Sequence, residues 1–399
     1  MVSFTKSFTQ QEAIPEEGIA SAIAVMRSGR LHRYNVQAGE KSLTDELELA
    51  FSQYLGVENC LACASCGYAL HIALKSLAIL PGDKVLCNAF TLAPVPGAIH
   101  NAGGVPVLVD IDEQLCIDLD DLEYKARHSS AKYLLLSHMR GHIADMDRVM
   151  DICQRHNLAL IEDCAHTMGA KWNGKMSGSF GDVACFSTQT YKHINSGEGG
   201  LLVTPDNDII TRAIIYSGSY MFYDKHHAAP EKEQFDAVKY TTPNYSGRMD
   251  NLRSAILLPQ LKKLDDKCRA WNARYYLMNA VIGSSLDINT IKRQKKEAFV
   301  GSSIQFSIPL FSKDDFKQLI ANCEAKGVSV KWFGDSKPNS YTSKYDSWHY
   351  LNDRSVLEPT ERILAQLIDL RIPLTFSLDD CKAVADIVVT EVEKLGAGK

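Results

Sequence analysis

Three short apolar runs end on residues of unusual type, at the place where open α/β sheets bind their ligands. The run in LALIEDCAHTMGA delivers Asp163, with His166 three residues on; the run in VACFSTQTYKHINSGEGG delivers Ser187 and then Lys192. A third run, VLCNAFT, adds the ring of Phe90. An acid, a hydroxyl, a primary amine and an aromatic plane at neighbouring strand ends make a coherent inventory for pyridoxal 5′-phosphate. A lysine amine condenses with the aldehyde and, once displaced by an amino donor, is a free base able to move a proton between Cα and C4′. A carboxylate beside the pyridine nitrogen keeps that nitrogen protonated, so the ring can take up electrons from a carbanion. Backbone N–H groups at a helix N-terminus hold a phosphate, with a hydroxyl beside them. An aromatic face stacks on the flat ring.

Each residue also has a plainer reading. Lys192 could be a solvated surface charge, Asp163 a helix cap, His166 a hydrogen-bonded histidine near the core and Phe90 ordinary packing. Gly197-x-Gly199-Gly200 could be a turn needing positive φ, and it lacks the GxGxxG spacing of a dinucleotide site. Composition and periodicity alone reach an α/β enzyme with a plausible cofactor site.

The elements that must position these residues follow an α/β rhythm. Ser42-x-x-Asp45 has the form of a capping box, followed by apolar positions on one helical face. A second helix begins near Gly67 and stops at Pro81-Gly82. Short apolar runs then alternate with helical patterns: 84–90, 105–110, 133–137, 158–163, 183–188 and 200–204. Runs this short and apolar predict strands covered on both faces, as in a mostly parallel sheet flanked by helices. Near residue 265 the pattern changes to a charged helix over 257–276, a strand at 304–310, a helix over about 313–327 and a last strand and helix over 371–395. The expected division is a large α/β domain over 1–265, including an N-terminal arm, and a smaller α+β domain over 266–399.

The 399 residues, 45% hydrophobic and 23% charged, can bury such cores. A formal charge of −5 without charge blocks argues against nucleic acid and against an anionic membrane surface, so a small molecule is the expected partner. No apolar run approaches the roughly 20 residues that span a bilayer, and the polar, acidic start does not have the form of a signal peptide, so the chain reads as cytoplasmic. Eleven cysteines lie scattered in apolar stretches, which suits reduced thiols. Cys60, Cys63 and Cys66 share an x2 spacing but lack a fourth ligand at matching spacing, so no metal site is expected.

The ordered motifs RSGRLHRYN, PGDKVLCNAFTLAPVPGAIHNAGGVPVLVDID, IEDCAHTMGA, GKMSGSFGDVACFSTQTYKHINSGEGG and GRMDNLRSAILLPQLKKLD resemble the sugar aminotransferases of the DegT/DnrJ/EryC1/StrS family, from about residue 27 to residue 276. That resemblance implies the fold type I pyridoxal-phosphate architecture. It makes Lys192 the lysine joined to the cofactor aldehyde, Asp163 the partner of the pyridine nitrogen, His166 a neighbour of the phenolic oxygen, Phe90 the stacking ring and Ser187 the phosphate hydroxyl. Cys66 and Gly67 fall at the start of the phosphate-binding helix, where a family hydroxyl is lost. Asn244 or Ser246, ahead of Arg248, falls where the family reaches a neighbouring subunit's phosphate, and a homodimer with shared active sites is implied. Arg140, His193 and Arg248 are expected beside the substrate. The Arg140 guanidinium could pair with a substrate carboxylate or form a structural ion pair.

The implied reaction moves an amino group from glutamate, through pyridoxamine 5′-phosphate, to a keto or aldehydo sugar. SHMRGHIADMD, EDCAHTMGA and FSTQTYKHINSGEGG resemble a branch that aminates the 8-oxo form of Kdo to 8-amino-Kdo for lipopolysaccharide. The alternatives are a nucleotide-linked 3- or 4-keto-6-deoxysugar as acceptor, a pyridoxal-phosphate-dependent sugar dehydratase with histidine in place of the lysine, or a non-catalytic sensor on the same fold.

Overall fold

The computed structural model describes residues 3–397 apart from 38, 336–343 and 352–354. Its strands are β1 (Asn59–Cys63), β2 (Lys84–Asn88), β3 (Val105–Val109), β4 (Tyr133–Ser137), β5 (Ala159–Asp163), the short pair β6 (Lys171–Trp172) and β7 (Lys175–Met176), β8 (Val183–Ser187) and β9 (Gly200–Thr204). Five more follow: β10 (Asn289–Thr290), β11 (Glu297–Ala298), β12 (Ser303–Ser307), β13 (Lys331–Trp332) and β14 (Leu367–Arg371).

Seven strands form the large sheet in the order β1-β9-β8-β5-β4-β2-β3. Its neighbours run parallel from β3 to β8, whereas β9 pairs antiparallel with both β8 and β1. Strands β1, β4, β8 and β9 are buried along their whole length, as unbroken apolar runs require of strands covered on both faces. The six expected strands are present within two residues at their ends. Strand β1 was not foreseen, because its five residues NCLAC read as a cysteine cluster. The structure sends those cysteines to different places: Cys60 into the core on one face of the sheet, Cys63 into the core on the other, and Cys66 to the start of the next helix.

The helix Leu43–Leu55 opens on the expected box, Ser42 accepting from the Asp45 amide and Asp45 from the Ser42 amide. The segment before it is tied down by Arg33, which is 1% exposed and forks onto Glu48 at 2.7 and 2.8 Å and onto Asp45 at 2.8 Å. Glu48 also accepts the Ala62 amide of β1 at 2.7 Å, so one buried ion pair fixes the arm, the helix and the sheet. The single charged helix expected over 257–276 is two, Asn251–Lys262 and Leu264–Ile282, broken at Lys263 (φ −103°, ψ 5°).

The second sheet, β10-β12-β14-β13, is antiparallel and backed by the helices Lys313–Ala325 and Leu378–Gly396, each started by a Ser/Asp capping box. In β14, Ile368 and Leu370 enter the core while Asp369 and Arg371 take the opposite face, the period-two alternation of a sheet with one polar side. The N-terminal arm lies on this half. The Phe4 amide donates to Lys326 O at 2.8 Å, and the rings of Phe4 and Phe8 pack edge-on against Phe376 at 4.9 Å each.

Candidate active site

The ends of β5 and β8 open on a cavity of about 780 Å³ lined by both halves of the chain, with Phe8 and Thr9 of the arm in its wall. Parallel register places Ser137 of β4 opposite Asp163 of β5, and the Ser137 hydroxyl donates to Asp163 Oδ2 at 2.8 Å. The Ala165 amide donates to the other carboxylate oxygen at 3.1 Å. Asp163 is thereby oriented with its charge kept, and it lines the cavity.

Lys192 reaches the cavity from the loop after β8, and its Nζ lies 2.5 Å from His166 Nε2. The Arg140 amide donates to His166 Nδ1 at 3.1 Å, which puts the ring proton on Nε2, aimed at the lysine. In its neutral form Lys192 then accepts with its lone pair. Burial lowers the lysine to about 8, with Asp163 opposing the shift and the Arg140 and Arg371 charges adding to it. Burial and the neighbouring Lys192 push His166 well below the ordinary histidine range, so the imidazole is neutral. Uptake of pyridoxal phosphate by the free protein should therefore quicken about tenfold per pH unit up to about pH 8 and level off above it, as the nucleophilic form of Lys192 fills. Following the visible absorbance of the captured cofactor checks this; a rate independent of pH across that range would contradict it.

The helix Cys66–Ser76 points its N-terminus at the same cavity. Ser65 caps it by accepting the Tyr68 amide at 3.1 Å, and Ser65, Cys66 and Gly67 line the wall. The first N–H groups of a helix have no carbonyl partner within it, which makes this end a phosphate seat. Gly200 explains how the sheet comes so close: a Cβ there would lie 2.5 Å from the Cys66 nitrogen and from the Ser65 carbonyl carbon. Ser187 lines the cavity too, accepting the Gln189 amide at 3.3 Å.

Six expected residues stand elsewhere or are engaged otherwise. Phe90 has no exposed surface; it lies in the bend after β2, where its ring packs edge-on against Phe333 at 5.0 Å in a core cluster. Leu92, two residues on, lines the cavity in its place. Arg248 lies outside the cavity lining, its guanidinium spent on Gly218 O and the Ser246 hydroxyl. Asn244 and Ser246 are exposed and also outside that lining. Arg140 lines the cavity, but its Nη2 is paired with Asp369 Oδ2 at 2.7 Å, the structural ion pair of the two readings. His193 is buried against Trp271, ring centroids 5.1 Å apart, and borders the cavity behind Lys192.

Ser137, Gln189, Tyr191, Asp369 and Arg371 escaped the sequence reading, and Lys331 entered it only as part of the stretch SVKWFGD, a candidate border of the substrate. Ser137 obeys the strand-end rule already applied to Asp163, and the alternation in LIDLR marks Asp369 and Arg371 as one polar face. Among the described residues, one buried trio has metal-ligand proximity: His138, Glu162 and Cys164. The Glu162 oxygens already accept the Gly178, Phe180 and Gly181 amides at 3.1, 2.8 and 2.9 Å, so this carboxylate braces the turn before β8.

A mostly parallel sheet with a buried lysine, an acid and a phosphate-binding helix end at one mouth defines a fold type I pyridoxal-phosphate-dependent transferase. The residues present fit that cofactor: Asp163 for the ring nitrogen, Lys192 for the aldehyde, His166 for the phenolic oxygen, and the Cys66 and Gly67 amides with Ser187 for the phosphate.

The chain belongs to the DegT/DnrJ/EryC1/StrS aminotransferase family, which it matches over residues 13–389. It is 35% identical over 226 residues to the GDP-perosamine synthase of Caulobacter vibrioides, covering 56% of this chain and 58% of that one. It is 31% identical over 293 residues to the UDP-N-acetyl-3-dehydro-alpha-D-glucosamine 3-aminotransferase of Acidithiobacillus ferrooxidans, covering 71% and 72%. Alignments to the first three curated relatives span 49–59% of those proteins' own length. The fold superposes on the crystal structure of 3-amino-5-hydroxybenzoic acid synthase with a TM-score of 0.84 at 20% identity, over 98% of this chain and all of that one. The cofactor of the family is pyridoxal 5′-phosphate.

Proposed function

We propose that this protein is a pyridoxal-phosphate-dependent aminotransferase that moves an amino group from glutamate to a carbonyl-bearing sugar, with 8-oxo-Kdo as acceptor and 8-amino-Kdo, for lipopolysaccharide, as product. The observation that carries the reading is the buried Lys192 amine, lowered to about 8 and held by a neutral His166 in the cavity that contains Asp163. Bound pyridoxal phosphate supplies a carbonyl that receives the amino group and a ring that takes up the electrons of the broken Cα–H bond. The protein's own residues do the rest. Asp163, fixed by Ser137 and Ala165, keeps a negative charge where the ring nitrogen must stay protonated. Lys192 would be the base that carries the proton between the donor's Cα and the cofactor's C4′, across the intervening nitrogen, and back again for the acceptor. The Cys66 and Gly67 amides and Ser187 hold the phosphate, and the arm residues Phe8 and Thr9 limit water at the reacting carbon.

In this reading residues 1–265 bind the cofactor and residues 266–399 wall the substrate. A second copy completes the site, with Asn244 or Ser246, both exposed, as the donors it exchanges. The enzyme works in the cytoplasm; among the described residues no helix is long and apolar enough to cross a membrane. A dehydratase with a histidine base has less support, since Lys192 meets His166 in the cavity while His193 is packed behind it on Trp271.

The names of the relatives favour a second acceptor class, nucleotide-linked ketosugars. Purified protein loaded with cofactor and given glutamate should aminate 8-oxo-Kdo with ping-pong kinetics. Amination confined to a GDP- or UDP-linked ketosugar would replace the Kdo assignment with this second one, and transfer to neither would overturn the aminotransferase reading.

A further inference from the structure

Beyond the groups that hold the cofactor, the cavity wall carries three further cations, Arg140, Lys331 and Arg371. Register explains how the last two meet. Lys331 lies opposite Asp369 across β13 and β14, and Arg371 is two residues along the same strand, so all three share one face of the small sheet. Asp369 is committed: it pairs with Arg140 at 2.7 Å and accepts from Gln305 Nε2 at 2.7 Å. Glu198, which also borders the cavity, stands on its exposed rim. Among the described residues no carboxylate lies within 4 Å of the Arg371 guanidinium, whose central carbon sits over the Tyr191 ring, 3.7 Å from its centroid. Burial and the Arg140 charge push the Arg371 pKa down, the mark of a half-buried cation short of an anion.

We infer that Arg371, with Lys331 beside it, is the seat for a carboxylate of the amino acceptor, and so selects an acidic sugar; this rests on the aminotransferase reading. A guanidinium over an aromatic ring can still direct N–H groups to a carboxylate, whose geometry its fork matches. Arg140, already joined to Asp369, sets the end of the strand instead of reading the ligand. Tyr191 immediately precedes Lys192, so the acidic end and the carbonyl end of one ligand are located by adjacent side chains. The shared chemistry is an anion, and three sources can supply one: the acceptor's carboxylate, glutamate, and the diphosphate of a nucleotide-linked sugar.

The test uses the cofactor-loaded enzyme and its Arg371→Gln and Arg371→Lys variants. Calorimetry with Kdo, which has the carboxylate but no reactive C8 carbonyl, should show binding weakened about 100-fold by R371Q and partly restored by R371K. In separate half-reactions, R371Q should raise the KM for 8-oxo-Kdo about 100-fold with kcat little changed, and treat its C1 amide as wild type does. Unchanged Kdo affinity and KM would overturn the inference, as would a loss confined to the glutamate half-reaction or to a nucleotide-linked ketosugar. If the wild type transfers no amine to any of these acceptors, the aminotransferase reading fails, and the Kdo calorimetry still decides whether Arg371 seats a carboxylate.

Discussion

Lys192→Ala should lower kcat by about 10⁴-fold and abolish covalent capture of the cofactor, while the protein remains folded. Position 192 combines two duties, nucleophile toward the cofactor aldehyde and mobile base for the proton, and no other side chain near it can take both. His166 is neutral with its ring proton directed at the lysine, and His193 is packed on Trp271 with burial lowering it to about 3, too weak a base for this transfer. The fold should survive because a buried amine is not a stabilising group: its charged form is penalised by desolvation, and alanine removes that penalty. Circular dichroism and a denaturant midpoint check folding; absorbance and amine transfer check the loss. Partial rescue by added methylamine would show that the missing element is the amine itself. A variant that transaminates at the wild-type rate would remove the assignment.

Asp163→Asn is the sharper probe, since it alters charge and little else. The amide oxygen can keep the bond from the Ala165 amide at 3.1 Å, and the amide nitrogen can donate to the Ser137 hydroxyl, which rotates to accept. What disappears is the negative charge opposite the ring nitrogen. Loss of a preorganised electrostatic partner predicts kcat reduced about 10²–10³-fold, with the phosphate contacts and the Lys192 linkage intact. Glutamate at 163 restores the charge on a longer arm and should recover part of the rate. Wild-type kcat in the asparagine variant would show that the carboxylate only caps the turn at Ala165.

The parallel half of the large sheet was legible because its strands are continuous apolar runs between turn signals, and because the residue that ends such a run faces the ligand. That one rule locates Asp163 and Ser187. The same rule misplaces Phe90: β2 ends at Asn88, and in the bend that follows the core took Phe90 while Leu92, two residues on, reached the cavity. Strand β1 was hidden by its own composition, since two cysteines in five residues resemble a ligand spacing more than a buried strand. The cations of the small sheet were hidden for another reason. Lys331 and Arg371 sit 139 and 179 residues beyond Lys192 in the chain, and only antiparallel register across β13 and β14 brings them to one face. The fate of Arg140 depended on the same register, because its partner Asp369 lies on β14.

The eleven free thiols have a practical side. Ten are buried, and Cys66 is the most exposed, at the helix end that borders the cavity. Burial raises that thiol well above the ordinary cysteine range, so the thiolate that alkylating reagents need is scarce at neutral pH. Cys66 is thus the most open handle among the thiols, and a probe attached there would compete with a phosphate seated on the Cys66 and Gly67 amides, turning one native side chain into a gauge of occupancy.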